Sequence, residues 1–191
     1  MTQPKNAKRE HWIAPWDAKN PDKLPDPAAF MLLGLGITSI EDDTDENTDD
    51  YSDYAGDGNT ASTLTSYAEK WNYSGRNVTE DPAQTLIRKM KRKPNDDDRR
   101  LWHAIRFTDG TNVVGVAKAM EIKAGSGDSS DYEEFSGHLD YDGVPQDATI
   151  EGSKKDGLSA ITLGVTPPGK PSAPTNAAAV AQAGGAKITA K

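Results

Sequence analysis

Asp43, Asp45 and Asn47 stand at the first, third and fifth places of a calcium-binding loop, from which such a loop delivers oxygen ligands. The sixth place, where the sharp turn needs glycine, is Thr48, and the twelfth, where a bidentate Glu should close the cage, is Tyr54. The stretch therefore draws divalent cations only as a block of charge. His11, His103 and His138 lack the i, i+4 spacing of a helical zinc pair. With no cysteine, thiolate metal sites, disulfides and cysteine catalysis are excluded together. Glu133 and Glu134 are adjacent, so on a strand they face opposite ways and cannot flank one glycosidic bond. Gly125-Ser126-Gly127 lacks the lysine and helix start of a phosphate-binding loop, and no nucleophile elbow occurs. No catalytic residue, metal ligand or cofactor is assigned, and the chain reads as a non-enzyme.

What remains is charge of two signs in two places. Glu41, Asp42, Asp43, Asp45, Glu46, Asp49 and Asp50 follow one another closely, with Asp53 and Asp57 beyond them. They are read as a loop over residues 41–59, and loops longer than about 15 residues are uncommon in compact domains unless they carry a function. A block of like charge repels itself, so something outside the fold should hold it. Asp81-Pro82-Ala83-Gln84 reads as a helix start: a capping carboxylate, proline at the first helical position, and Gln84 where a capping box places its reaching side chain. The helix is expected from residue 82 to about 93, ended by Pro94. Leu86, Ile87 and Met90 form its apolar stripe, and Arg88, Lys89, Lys91 and Arg92 lie on or beside the outer face. An acidic loop of one copy against the basic helix of the next would neutralise both, and such head-to-tail contacts build rings or filaments.

The elements that must carry these charges are mostly strands. Residues 1–30 hold Pro4, Pro15, Pro21, Pro25 and Pro27 and are read as an extended arm, whose Trp12 and Trp16 dock on a surface of the same subunit or a neighbour. Apolar alternation predicts strands over 31–40, 64–73, 101–108, 113–122 and 135–142, with a short one at Ile161, Leu163 and Val165. Tyr67, Trp71 and Tyr73 share one face of the second of these, and Asp109-Gly110 signals a hairpin. About six strands and one helix predict a mainly β fold, an antiparallel sandwich or barrel with a flanking α-helix, over residues 31–166. Residues 167–191, rich in Pro, Ala and Gly, are expected not to order alone. A formal charge of -8 disfavours gripping nucleic-acid phosphates. The most apolar run, 29–37, is too short to span a membrane, and the N-terminus lacks a signal-peptide core, so a cytoplasmic origin is expected.

Gly36-Ile37-Thr38-Ser39-Ile40, the acidic stretch ending in Tyr54-Ala55-Gly56-Asp57-Gly58, and Trp71-Asn72-Tyr73-Ser74-Gly75-Arg76 ahead of Asp81-Pro82-Ala83-Gln84 resemble the major tail protein of long-tailed siphophages of Gram-positive bacteria. The Phe135–Pro145 stretch resembles that family's closing strand and turn, and the likeness spans residues 30–150. It implies a structural virion protein whose six-membered rings stack into a tail tube for DNA ejection. It also implies a continuous inner β-barrel, bridging by the long loop and terminal arms, tape-measure and terminator or distal tail proteins as partners, and assembly in the host cytoplasm. A net negative wall would let DNA slide within a screening length of about 8–10 Å. The wall is expected to be one polar strand face, either Ser136, His138 and Asp140 or Ala68, Lys70 and Asn72. Lys70 fits only with a carboxylate beside it. Pro171–Asn176 and Gly185–Thr189 resemble the opening strands of an immunoglobulin or fibronectin-III-like module, expected to be truncated here or completed in a longer frameshift product. The competing reading is a secreted β-sandwich that binds sugar or protein with calcium at the acidic loop.

Overall fold

The computed structural model describes residues 3–52 and 60–164. Eleven strands occur among them: β1 (Glu10–Pro15), β2 (Met31–Leu32), β3 (Ile37–Asp42), β4 (Asp45–Tyr51), β5 (Ala61–Ala68), β6 (Lys70–Arg76), β7 (Arg100–Arg106), β8 (Asn112–Ser126), β9 (Glu134–Tyr141), β10 (Gln146–Ser153) and β11 (Gly157–Leu163), with one α-helix, α1 (Pro82–Met90), between β6 and β7. Nine strands form one antiparallel sheet in the order β2-β1-β7-β8-β9-β6-β3, extended by β10 pairing β8 and β11 pairing β10. The sheet curls into a half-barrel, the expected mainly β architecture with one flanking helix. β4 and β5 pair only with each other.

The core has two parts, one on each face of the sheet. On the helix face, Ala83, Ile87 and Met90 of α1 pack with Ile13, Leu101, Ile105, Ala117, Trp71, Tyr73, Phe135 and Leu139. On the other face, Trp12, Ala14, Trp102, Ala104 and Val114 meet Phe30 and, from the β10–β11 hairpin, Ile150 and Leu158. β1 and β7 are therefore buried on both sides. This corrects the extended arm: residues 10–15 form an integral strand paired along its whole length with β7. The prolines misled because Pro15 stands at the strand's end and the others outside it.

The helix begins as expected, with the Asp81 carboxylate accepting from Gln84 N at 2.9 Å. It ends at Met90, three residues short of the expected limit. Gln84, fully buried, does more than close a capping box. Its amide donates to Leu35 O and Arg76 O at 2.7 and 3.1 Å and accepts from Val78 N at 2.8 Å. The helix is thereby pinned to the turn before β3 and the end of β6. That turn interrupts the strand expected over 31–40: Gly36 has φ +77°, and a Cβ there would lie 2.7 Å from Arg76 O.

His11 and His103 meet in the core, rings stacked, with His11 Nδ1 3.1 Å from His103 Nε2. Arg9 Nε donates to His11 Nε2 at 3.0 Å, so His11 carries its proton on Nδ1 and passes a hydrogen bond to His103. Burial pushes the His103 pKa down to about 3 and pushes His11 well below its ordinary value, where a charge would also be opposed by the adjoining His103 and by the cations Arg9 and Lys154. Both are neutral in the fold and titrate near 6.5 when it opens. Their contribution is complete above pH 6.5 and is lost as pH falls toward the folded values, at about 1.4 kcal/mol per pH unit per histidine. Urea unfolding at pH 7.0 and 5.0 is expected to show a lower midpoint at pH 5.0, and His103→Gln should flatten that difference.

Candidate assembly surfaces

The strand expected over 64–73 is two strands. The chain breaks at Glu69, whose carboxylate accepts from Tyr67 Oη at 3.0 Å and Trp71 Nε1 at 2.8 Å. Trp71 and Tyr73 go on into the core, whereas Tyr67 stays outside with β5. The face that all three were expected to share does not exist.

The acidic stretch likewise departs from a loop. Glu41 and Asp42 end β3, the Asp42 carboxylate caps a turn by accepting from Thr44 N at 3.0 Å, and Asp45, Glu46, Asp49 and Asp50 lie on β4. Asp53, Asp57 and the quoted Tyr54–Gly58 segment fall outside the described residues. β4 and β5 form a hairpin in which every residue of both strands is exposed. Tyr51, Leu64 and Tyr67 are exposed large apolar side chains, at 55%, 53% and 43%. An isolated two-stranded hairpin is marginal in water, since neither face covers a core. Its cross-links are polar: Asn47 donates to Ser66 Oγ at 2.8 Å, Thr65 Oγ1 donates to Asn47 O at 2.9 Å, and Ser62 hydrogen-bonds Asp50. Asp43 and Asp45, first considered as calcium ligands, hold Lys70 Nζ instead, at 2.8 and 3.6 Å.

The cations of α1 and of residues 91–93 just after it divide into two groups. Arg88 is spent within the subunit, on Asn77 Oδ1, Thr79 O and Thr85 Oγ1, and Lys91 donates to Ala124 O at 3.0 Å. Lys89, Arg92 and Lys93 are exposed and make no side-chain hydrogen bond or ion pair among the described residues. Sequence reasoning missed this division because, apart from Thr85 one turn back in the helix, the partners of Arg88 and Lys91 come from other segments of the chain.

The two polar strand faces weighed as alternatives are one surface. β6 and β9 pair in a register that sets Lys70 opposite Asp140, Asn72 opposite His138 and Ser74 opposite Ser136. Directly opposed residues share a face, so these side chains lie together, on the side of the sheet away from α1. β3 adds Glu41 beside Asn72, and β8 adds Lys118 beside Asp140 and Met120 beside His138. Ala68, grouped with Lys70 and Asn72, is in the β5 strand of the hairpin instead. His138 Nδ1 lies 2.5 Å from Asp140 Oδ1, and Nε2 lies 3.9 Å from Glu121. The surface is of mixed sign, and the carboxylate that Lys70 was expected to need is present.

No family model and no curated protein matches the sequence. Solved structures do resemble it in fold. The tail of an empty gene transfer agent particle, obtained with helical refinement and C6 symmetry, superposes with a TM-score of 0.57 at 10% identity, covering 77% of this chain and all of that one. A chain from the virion of a native gene transfer agent particle gives 0.52 at 12% identity, over 76% of this chain and all of that one.

Because the hairpin lacks a core of its own, its amides should exchange with solvent far faster in the free subunit than those of β7, β8 and β9. Hydrogen exchange by mass spectrometry, comparing peptides from 45–51 and 61–68 with peptides from 100–126, is expected to show that contrast. Equal protection would mean the hairpin is stabilised within one subunit.

Proposed function

We propose that this chain is a non-enzymatic structural subunit of a phage-like tail, assembling with copies of itself into stacked rings that form a tube for DNA. The observation that carries this reading is the β4–β5 hairpin, whose seven- and eight-residue strands present exposed tyrosines and a leucine that no other described element covers, a surface suited to burial against another copy. The fold likeness to a gene transfer agent tail of C6 symmetry supports a ring of six. Under this reading the acidic residues of 41–59 bridge subunits, and the basic helix receives them through Lys89, Arg92 and Lys93, with Arg88 and Lys91 holding the helix in place.

The bore is then lined by the polar face of β6, β9 and β8, namely Lys70, Asn72, Ser136, His138 and Asp140 with their neighbours, because the opposite face is occupied by α1 and the core. Genomic DNA passes without specific binding. A tape-measure protein and terminator or distal tail proteins are the further partners, the tail of a siphophage of Gram-positive bacteria is the particle, and assembly takes place in the host cytoplasm before the protein resides in the virion.

Two experiments test the reading. Asp43 N donates to Lys70 O, so the chain ends on either side of the hairpin are adjacent. Replacing residues 45–68 with an Asn-Gly turn should therefore leave a folded subunit. Negative-stain microscopy of the concentrated wild-type protein is expected to show rings or tubes, and the shortened variant neither; tubes from the shortened variant would make the hairpin dispensable. Separately, Lys89→Glu/Arg92→Glu/Lys93→Glu should keep its thermal midpoint within a few degrees, since exposed charges contribute little to stability, yet lose polymerisation. Unaltered tubes from that variant would remove the helix from the interface.

A further inference from the structure

The polar face carries a row of cations that is set against DNA in an unexpected way. Lys70, Asp140, Lys118 and Arg100 occupy successive cross-strand positions on β6, β9, β8 and β7. At about 4.8 Å per strand the row spans roughly 15 Å, facing several phosphates of a duplex that bears one charge per about 1.7 Å of axis. Left bare, it would be a phosphate track.

It is not bare. Lys70 is held by Asp43 and Asp45 at 2.8 and 3.6 Å. Lys118 is held by Asp96 and Asp142 at 3.0 and 3.7 Å, and Arg100 by Asp97 and Asp142 at 2.8 and 2.7 Å. Every cation has two carboxylates, supplied from outside the row: the β3–β4 link and the first residue of β4, the turn before β7 and the turn after β9. Asp142 reaches both Lys118 and Arg100, whose like charges sit directly opposite each other and would otherwise repel. Three positive charges are thus matched by five carboxylates besides Asp140. Such exposed pairs add little to folding stability, so their number calls for another account. Mutual support within the pairs lowers the Asp43 and Asp96 pKa values and raises those of Lys70 and Lys118.

We infer that Asp43, Asp96 and Asp142 are masking residues that keep duplex DNA from adhering to this face by occupying the cations that would bind its phosphates. The inference rests on the tube reading for the assignment of the face to DNA, and it names the residues that make a wall containing lysines slippery.

The test is DNA binding by the unassembled protein, read as fluorescence anisotropy of a labelled 20-base-pair duplex at 20 mM salt. Wild type is expected not to bind. Asp43→Asn/Asp96→Asn/Asp142→Asn frees Lys118 altogether and leaves Lys70 and Arg100 one carboxylate each, Asp45 and Asp97, so it should bind with Kd on the order of 10⁻⁴ M or tighter, and log Kd should change with log salt by a slope between about 0.9 and about 2.7, for one to three neutralised phosphates. Glu46→Gln/Asp49→Asn/Asp50→Asn changes net charge equally on the hairpin and should stay non-binding. Adding Lys70→Gln and Lys118→Gln to the unmasked variant should abolish its binding. Binding by wild type, equal binding by the hairpin control, or none by the unmasked variant would overturn the inference. Should the triple variant melt early, Asp43→Asn and Asp96→Asn singly are each expected to show weaker, salt-sensitive binding, and silence from both would overturn it. Tubes are scored separately by microscopy: wild type that never assembles counts against the tube alone, and an unmasked variant that ignores DNA counts against the masking alone.

Discussion

The pairing of β6 with β9 is the constraint on which the other features depend. In its register Trp71 faces Leu139 and Tyr73 faces Gly137 on the core side, while Lys70, Asn72, His138 and Asp140 share the other side. A slip of one residue would exchange the two sets and drive charge into the core. Gly137 fixes the register sterically, because the Tyr73 ring occupies the place of a side chain: a Cβ there would approach Met120 O to 2.9 Å and the ring itself as closely. The bulge in β8 between Met120 and Lys123, where Glu121 takes φ +48°, lets the strand continue along β9 past this crowded point.

From that register follows a division of labour across the sheet. Toward β1 and β7 both faces are covered, one by α1 and the other by the β10–β11 hairpin, and there the buried histidine pair sits. Toward β6 and β3 only the helix side is covered. The uncovered part is polar by composition, so it requires no further layer. The β4–β5 hairpin is different, for it presents tyrosines and a leucine that are 43–55% exposed among the described residues. The sheet has its core within the chain, whereas every residue of the hairpin strands is exposed.

What the sequence disclosed follows the range of the interactions involved. The β9 alternation, the Asp109-Gly110 turn and the Asp81-Pro82 helix start are local signals, and each appears where the spacing put it. β10 escaped notice because Ile150 is its one buried residue, which leaves no apolar alternation to read. β4 escaped because seven residues with four carboxylates and no aliphatic side chain have no strand pattern; the structure supplies it through a partner strand rich in Ser and Thr. Two readings of polar strand faces became one surface only once β6 and β9 were known to pair. The partners of Lys70 and Lys118, and all but Thr85 among those of Arg88, lie in other segments, and periodicity carries no information about them.

Mixed charge on the exposed sheet face is also the arrangement sheet physics favours over uniform acidity. Carboxylates alone on neighbouring strands would stand about 5 Å apart and repel across every pair. Interleaved lysines relieve that repulsion, but each one added to a strand is also a phosphate ligand. Placing the surplus carboxylates in turns at the strand ends resolves the conflict, because the turns can bring two acids to one cation without adding like charge to the ladder. Asp43 in the turn and Asp45 at the first position of β4 come to Lys70 from a segment whose backbone is already fixed, by Asp43 N on Lys70 O and by the Asp42 cap on Thr44. The same short segment that starts the projecting hairpin thereby neutralises the first cation of the row, so the geometry of the arm and the charge of the face are set by one turn.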